Sequence, residues 1–372
     1  MKPTIATRLA DIELSLIRQI NALATPICIN LGIGEPNIEP DENLRKLAIE
    51  AAANGSWHYT PNAGTLSLRT LIAGDSGFEA NEVCVTAGTE EALFSIFQAY
   101  VDPGDEVLVP NPGFLAYATL ARIAGATPVT YDIEPPDWRV DVDALLKKIT
   151  HKTKLIVVNS PSNPLGSVIE RETLQAIAGA GPLVVSDEVY SEIWYDAPPP
   201  SMLGLSENVI VVGGMSKSHA MTGLRLGWVI AAEAVMKPIV TAHQYIATCA
   251  SSFSQSLAEA ILMRPDWNRP WLEKIRAQFG RQRAAALSAI ARELEVDLAP
   301  PAGAFYAFVP VPACDTVNFT KTLATDAAVL VIPGVAFGSL GEGFVRISYA
   351  ASVDDINHGI GQIGRWLRAA GR

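Results

Sequence analysis

At 372 residues, with 49% apolar and 18% charged residues, the chain is long enough to bury a large core and too apolar to be a disordered polymer. Its net charge of -11 at pH 7, with no cluster of Lys and Arg, argues against a nucleic-acid backbone or an anionic membrane surface as partner. The four cysteines, Cys28, Cys84, Cys249 and Cys314, are far apart without a C-x-x-C spacing, and read as reduced core residues and not as metal or redox centres.

Residues 1–20 carry no signal-peptide core, and no later stretch approaches the ~20 apolar residues of a membrane span, so the expected compartment is the cytoplasm. The segment before Asn37 is too short for a domain and is expected to pack with the C-terminal part or to cross to a partner subunit. Short Val- and Ile-rich runs at 83–85, 106–109, 155–158, 183–185, 209–212 and 228–230 predict strands. They alternate with helix-compatible stretches such as 90–100 and 141–148, the pattern of a largely parallel α/β sheet covered on both faces. After Pro265 the pattern changes to a long helix over 267–294, strands at 304–309, 329–332 and 344–349, and an amphipathic helix over 353–369. That part reads as a smaller α+β domain, giving an expected division into 1–36, 37–265 and 266–372.

The most informative stretch is Gly213-Gly-Met-Ser-Lys-Ser-His-Ala-Met-Thr-Gly-Leu-Arg-Leu-Gly-Trp228, directly after a predicted strand. A lysine desolvated beside other cations loses its proton readily, as a Schiff-base lysine must, which makes Lys217 a candidate. Ser216 and the forked donor Arg225 suit a phosphate monoester. Alone, the stretch also suits a surface loop with an ordinary Lys and Arg. In Val184-Val-Ser-Asp-Glu-Val-Tyr190 an acid stands at the carboxyl end of a buried strand, where ligands of open α/β sheets collect. There Asp187 could pair with a protonated pyridine nitrogen, and Tyr190 could hydrogen-bond a phenolic ring oxygen or be a structural tyrosine. Thr86-Ala-Gly-Thr-Glu-Glu-Ala92 joins a strand to a helix whose first N–H groups could bind phosphate, although many α/β crossovers have such a turn. Asn163 precedes a proline that keeps it out of helical geometry, in either an inward-aimed or a plain turn.

Taken in order, Leu31-Gly-Ile-Gly-Glu-Pro36, Tyr59-Thr-Pro-Asn-Ala-Gly64, Thr86-Ala-Gly-Thr89, Asn111-Pro-Gly-Phe114, Asn159-Ser-Pro-Ser-Asn-Pro-Leu-Gly166, Asp187-Glu-Val-Tyr190, Ser216-Lys217, Arg225-Leu-Gly227 and Phe344-Val-Arg-Ile-Ser348 resemble the class I/II aminotransferases of the fold type I pyridoxal-phosphate (PLP) superfamily. The resemblance covers nearly the whole chain. It implies a mostly parallel seven-stranded sheet in the large domain, a smaller α+β domain, and a homodimer with shared active sites. It also implies that Lys217 carries the Schiff base and moves the proton between substrate Cα and cofactor, with Asp187 holding the pyridine nitrogen. Asn163 and Tyr190 would contact the ring's O3′, Phe114 would stack on the ring, and Gly88, Thr89, Ser216 and Arg225 would hold the phosphate beside Glu90. Tyr59 would reach the phosphate in the partner subunit. Arg346, with the backbone at Gly34 and with Asn163, would bind the substrate.

Three departures stand out. Gly214 replaces a second serine common in relatives, and Phe114 replaces a Tyr or Trp, which keeps stacking but loses a polar handle. Glu90 stands where some relatives that accept aspartate carry a lysine, which tilts the expectation toward a neutral amino-acid donor with a 2-oxo acid acceptor. Rival readings are a PLP-dependent C–S or β-lyase on the same scaffold, and a non-catalytic PLP-binding regulator, for which no basic DNA-binding segment is apparent.

Overall fold

The computed structural model describes residues 5–10, 12–74 and 76–371; the remaining positions of the 1–36 segment expected above, 1–4 and 11, lie outside them. In chain order the strands are β1 (Ile29–Asn30), β2 (Val83–Thr86), β3 (Glu106–Asn111), β4 (Thr127–Glu134), β5 (Arg139–Val140), β6 (Thr153–Asn159) and β7 (Leu183–Asp187). They continue with β8 (Val209–Gly214), β9 (Gly227–Ile230), β10 (Tyr306–Pro310), β11 (Val329–Leu330), β12 (Ile332–Pro333) and β13 (Phe344–Ser348). The helices used below are α1 (Thr89–Tyr100), α2 (Ala116–Ile123), α3 (Arg171–Ala178), α4 (Glu233–Ala247), α5 (Pro265–Leu294) and α6 (Val353–Ala369).

The main sheet has the order β2-β9-β8-β7-β6-β3-β4-β5. Its central neighbours, β8 with β7, β7 with β6, β6 with β3 and β3 with β4, all pair in parallel. β9 runs antiparallel to both β8 and β2, so β2 points the same way as the parallel set. The seven-stranded sheet expected from the sequence is thus present, with the two-residue β5 added antiparallel at its edge. Parallel strands need both faces covered, and the alternation of β6 provides this. Leu155 and Val157 pack with Leu93, Ile96 and Met236 from α1 and α4, whereas Ile156 and Val158 pack with Leu174 and Ile177 of α3.

β4 escaped the sequence reading because only one face is covered: Tyr131 and Ile133 are buried, while Thr130, Asp132 and Glu134 face solvent. A lone proline and two acids in an eight-residue segment mask that alternation. The run at 329–332 divides between two sheets, since Val329–Leu330 pairs in parallel with β1 and Ile332–Pro333 pairs antiparallel with β13. The long helix begins at Pro265, not 267, because a proline in the first turn gives up an N–H that has no helical partner there anyway. In β10-β13-β12 Arg346 faces both Phe308 and Ile332 across the ladder. Ile356, Ile360, Ile363 and Leu367 of α6 recur at helical spacing and join Ile275, Phe279 and Ile290 of α5 in one core.

β6, β7 and β8 end side by side, with Asn159 opposite Asp187 and Asp187 opposite Val212. Polar residues follow apolar runs at these carboxyl ends, and the crevice they border is where open α/β sheets take ligands.

Candidate active site

Asp187 ends β7 at 4% exposure. Its Oδ2 accepts from Tyr117 Oη at 2.8 Å and its Oδ1 from the Val189 N–H at 3.2 Å. Burial pushes the carboxyl above its usual range, and the Tyr117 and Val189 donors together with the Lys217 charge oppose that shift. Next door, the Asn159 side chain donates to the Asp187 carbonyl at 2.9 Å and accepts from the Asn163 N–H at 2.8 Å, tying two candidate positions to one buried amide.

Lys217 lies in the turn that follows β8, and its Nζ donates to the Gly34 carbonyl at 2.6 Å. Burial brings its pKa from 10.5 down to about 8; the Arg346 and Arg225 charges act in the same direction, and Glu35 and Asp187 against it. The ammonium is 6.0 Å from the centre of the Tyr190 ring. Tyr190 Oη is 2.7 Å from Tyr306 Oη, and Tyr306 in turn lies under the Arg346 guanidinium at 4.4 Å. Arg346 is 1% exposed, donating to Asn163 Oδ1 at 2.8 Å and to the Gly32 carbonyl at 2.6 Å, with the Phe337 ring also close at 4.8 Å. Its Nε is buried without a partner. A side chain at Gly34 would meet Tyr306 Oη at 2.4 Å, so only glycine lets this backbone approach both Tyr306 and Lys217.

The strand-to-helix turn after β2 brings a second set together. Gly88, at φ +89°, is the N-cap of α1, and a Cβ there would lie 2.6 Å from Arg225 Nη2. Arg225 itself has φ +51° and donates through Nη1 to the Thr222 carbonyl at 2.9 Å. Glu90, in the first turn of α1, is pushed above its usual range first by burial and then by the Asp187 charge, against Arg225. Ser216 is buried. Phe114 is partly buried and meets Tyr117 edge to face at 5.6 Å.

A family model described as "Aminotransferase class I and II" matches residues 26–363. The chain belongs to the class I and II aminotransferases. As such it is a PLP-dependent aminotransferase, moving an amino group from an amino acid to a 2-oxo acid. The aminotransferase is 35% identical over 376 residues to a "Probable aspartate aminotransferase" of Methanocaldococcus jannaschii, covering 96% of this chain and 98% of the relative. It is 34% identical to "Aromatic-amino-acid aminotransferase 2" of Thermococcus litoralis, with 98% of each chain covered. An aspartate aminotransferase structure from Thermus thermophilus with maleate superposes at a TM-score of 0.92, with 30% identity over 98% of this chain and 99% of that one.

Of the residues singled out in the sequence, the aminotransferase brings Gly34, Lys217, Tyr190, Asn163, Arg346 and Asp187 into one continuous chain of contacts. Gly88, Thr89 and Glu90 form the adjacent turn with Arg225 against Gly88, and Ser216 is buried in the turn that carries Lys217. Tyr59 stands apart, 86% exposed. Three partners were not anticipated: Tyr117 on Asp187, Tyr306 between Tyr190 and Arg346, and Thr222, whose hydroxyl donates to Glu35. None has a motif of its own, although Tyr117, three residues past Phe114 at the start of α2, sits at the spacing of a helical neighbour. Among the described residues no group of three or more His, Cys, Asp or Glu is arranged to hold a metal, and no helix is long and apolar enough to cross a membrane.

Proposed function

We propose that the aminotransferase holds PLP at the carboxyl ends of β6, β7 and β8, attached through Lys217. The observation that carries this is the juxtaposition of Lys217, lowered to about 8, with the buried acid Asp187 and the buried cation Arg346. The residues present fit the group. Arg225, Ser216 and the first N–H groups of α1 at Gly88 and Thr89 form a donor set for a phosphate dianion. Asp187, fixed by Tyr117 and the Val189 N–H, suits a cationic ring nitrogen, and Phe114 offers an aromatic face. When bound, PLP supplies an electron sink that acidifies the substrate Cα–H.

The chain's own residues do the rest. Arg346 binds the substrate α-carboxylate, aided by its unpartnered Nε–H, and orients Cα. Lys217, neutral for an appreciable fraction of molecules near pH 8, takes and returns the proton at that carbon. Tyr190 and Asn163 hold the ring oxygen. The preferred donor is a neutral amino acid. Arg225 and Arg346, the two cations acting most on Lys217, are committed to phosphate and α-carboxylate, whereas Glu35 and Glu90 add negative charge nearby. The enzyme works as a homodimer in the cytoplasm, with Tyr59 reaching the partner's phosphate site, and its chain divides near 37 and 265.

The test is an absorbance spectrum of the purified protein with PLP, followed by single additions of leucine, phenylalanine or aspartate without acceptor. A visible band that falls with one equivalent of 2-oxo acid, and then no turnover, is expected, fastest with a neutral donor. Preference for aspartate would overturn the donor reading, steady ammonia release would indicate lyase chemistry, and absence of the band would overturn Lys217.

A further inference from the structure

The turn that carries Lys217 has little structure of its own. From Met215 to Ala220 it lies outside the β8 ladder, is bridged by one backbone bond from the His219 N–H to the Met215 carbonyl at 3.1 Å, and ends on Ala220 at φ +53°. A non-glycine residue in that region costs energy and persists only where neighbours over-determine it. Those neighbours come from the first turns of α5. Asn268 Oδ1 lies 2.8 Å from His219 Nε2, and Trp271 Nε1 donates to the Ser218 carbonyl at 3.1 Å. Three residues apart on one helix, Asn268 and Trp271 share a face. Ser218, His219 and Trp271 are all under 5% exposed.

The direction of this chain of bonds is set by chemistry. Burial lowers the His219 pKa to about 4, so the imidazole is neutral and has one N–H. Asn268 Oδ1 only accepts, which puts that proton on Nε2 and leaves Nδ1 to accept from Ser218 Oγ at 2.9 Å. At its other half α5 holds the chain that leaves the arginine strand: Gln282 Nε2 donates to the Ala351 carbonyl at 2.7 Å, three residues past the end of β13. Thirty helical residues make a rod of about 45 Å, and one rod therefore touches both the Lys217 turn and the segment that directly follows the strand carrying Arg346.

We propose that Asn268 and Trp271 are positioning residues for the reaction, acting through His219 and Ser218 to hold Lys217 in register with Arg346 on the single strut α5. This rests on the reading of Lys217 and Arg346 given above. Neither residue touches the reacting atoms. Proton transfer is sensitive to alignment, and a displacement of about 1 Å costs on the order of a hundredfold in rate.

The experiment uses the full-length protein with three variants, Asn268→Ala, Trp271→Phe and Asn268→Asp, the last keeping an acceptor oxygen toward His219. In the PLP-free protein, the pH dependence of Lys217 labelling by an amine-reactive reagent is read by peptide mass spectrometry, and in the PLP-loaded protein kcat and KM are measured. Asn268 and Trp271 are uncharged, so their loss leaves Arg346, Glu35, Arg225 and Asp187, the charges that act on Lys217, in place. A shifted labelling midpoint then reports a moved lysine. The expected result is a displaced midpoint for Asn268→Ala and Trp271→Phe, with kcat lower by about tenfold or more and KM within about twofold, while Asn268→Asp keeps most of kcat. An unchanged midpoint and kcat per folded site, with only a lower melting temperature, would overturn the proposal. So would failure of Asn268→Asp to the same degree as Asn268→Ala. Absence of the PLP band in the unsubstituted protein would instead count against the function reading and leave the labelling experiment to decide the strut.

Discussion

Lys217 combines a catalytic need with a cost to the fold. Its pKa of about 8 in the folded chain against 10.5 ordinarily means that the unfolded chain binds the proton more tightly between those values. Stability of the PLP-free protein should therefore rise with pH through that window, the penalty of up to about 3 kcal/mol being fully present below pH 8. Lys217→Met removes the titrating group, so the difference in unfolding free energy between the two proteins should shrink as pH rises from 8 to 10.5; identical pH profiles would show that the lysine is not perturbed. Tyr117 makes a complementary prediction. Its hydroxyl donates to Asp187 in a buried setting, and a hydrogen bond to a charged group is worth about 1.5–3 kcal/mol. Tyr117→Phe should weaken PLP binding and lower kcat by roughly tenfold or more, measured by cofactor titration and steady-state kinetics. Lys217, Asp187 and Arg346 were legible in the sequence because each stands in a recognisable motif: Lys217 just after β8, Asp187 at the end of β7 and Arg346 within β13. Tyr117 and Tyr306 were not, because nothing in their local sequence says which acid or arginine they meet.

At the scale of elements, the departure at Gly214 gains a physical reason. Gly214 is the last residue of β8 and pairs with Gly227 on β9. A Cβ there would lie 2.9 Å from the Leu226 carbonyl and 3.1 Å from Gly227 Cα. Gly214→Ser, although it would install a hydroxyl toward the phosphate turn, should destabilise the protein by about 1–3 kcal/mol through strand displacement and should not tighten PLP binding. Denaturant unfolding and PLP titration of the variant decide between this and a simple missing hydrogen bond. The buried strands were readable because each is a near-continuous Val and Ile run. β4 was not, since a strand covered on one face carries only half of that signal. The segment at 329–332 read as one strand because its apolar run is unbroken, yet its pairing partners are 300 residues upstream on one side and β13 on the other.

At the scale of the molecule, the exposed aromatic side chains Trp57, Tyr59 and Tyr245, each more than 80% accessible, stand out in a chain that buries most of its apolar residues. If Tyr59 serves the partner's phosphate site, two separately inactive proteins, Lys217→Ala and Tyr59→Ala, should regain activity when unfolded together and refolded. The mixed dimer would hold one site with both native residues, and up to about half of the molecules would be mixed by random pairing. Recovery absent from a mixture that forms mixed dimers by mass spectrometry would place both residues in one subunit's site.

The sequence by itself determined the class of the fold, the order of the strands along the chain, and the residue types at the ligand-binding ends, because periodicity, turn residues and motifs are local properties of the chain. Only the tertiary structure decided that Arg346 reaches Asn163 across 183 residues, that Lys217 reaches Gly34 across the same separation, and that Asn268 reaches His219. Those contacts depend on how sheets and helices pack, and packing satisfies buried polar groups with partners that sequence distance does not reveal.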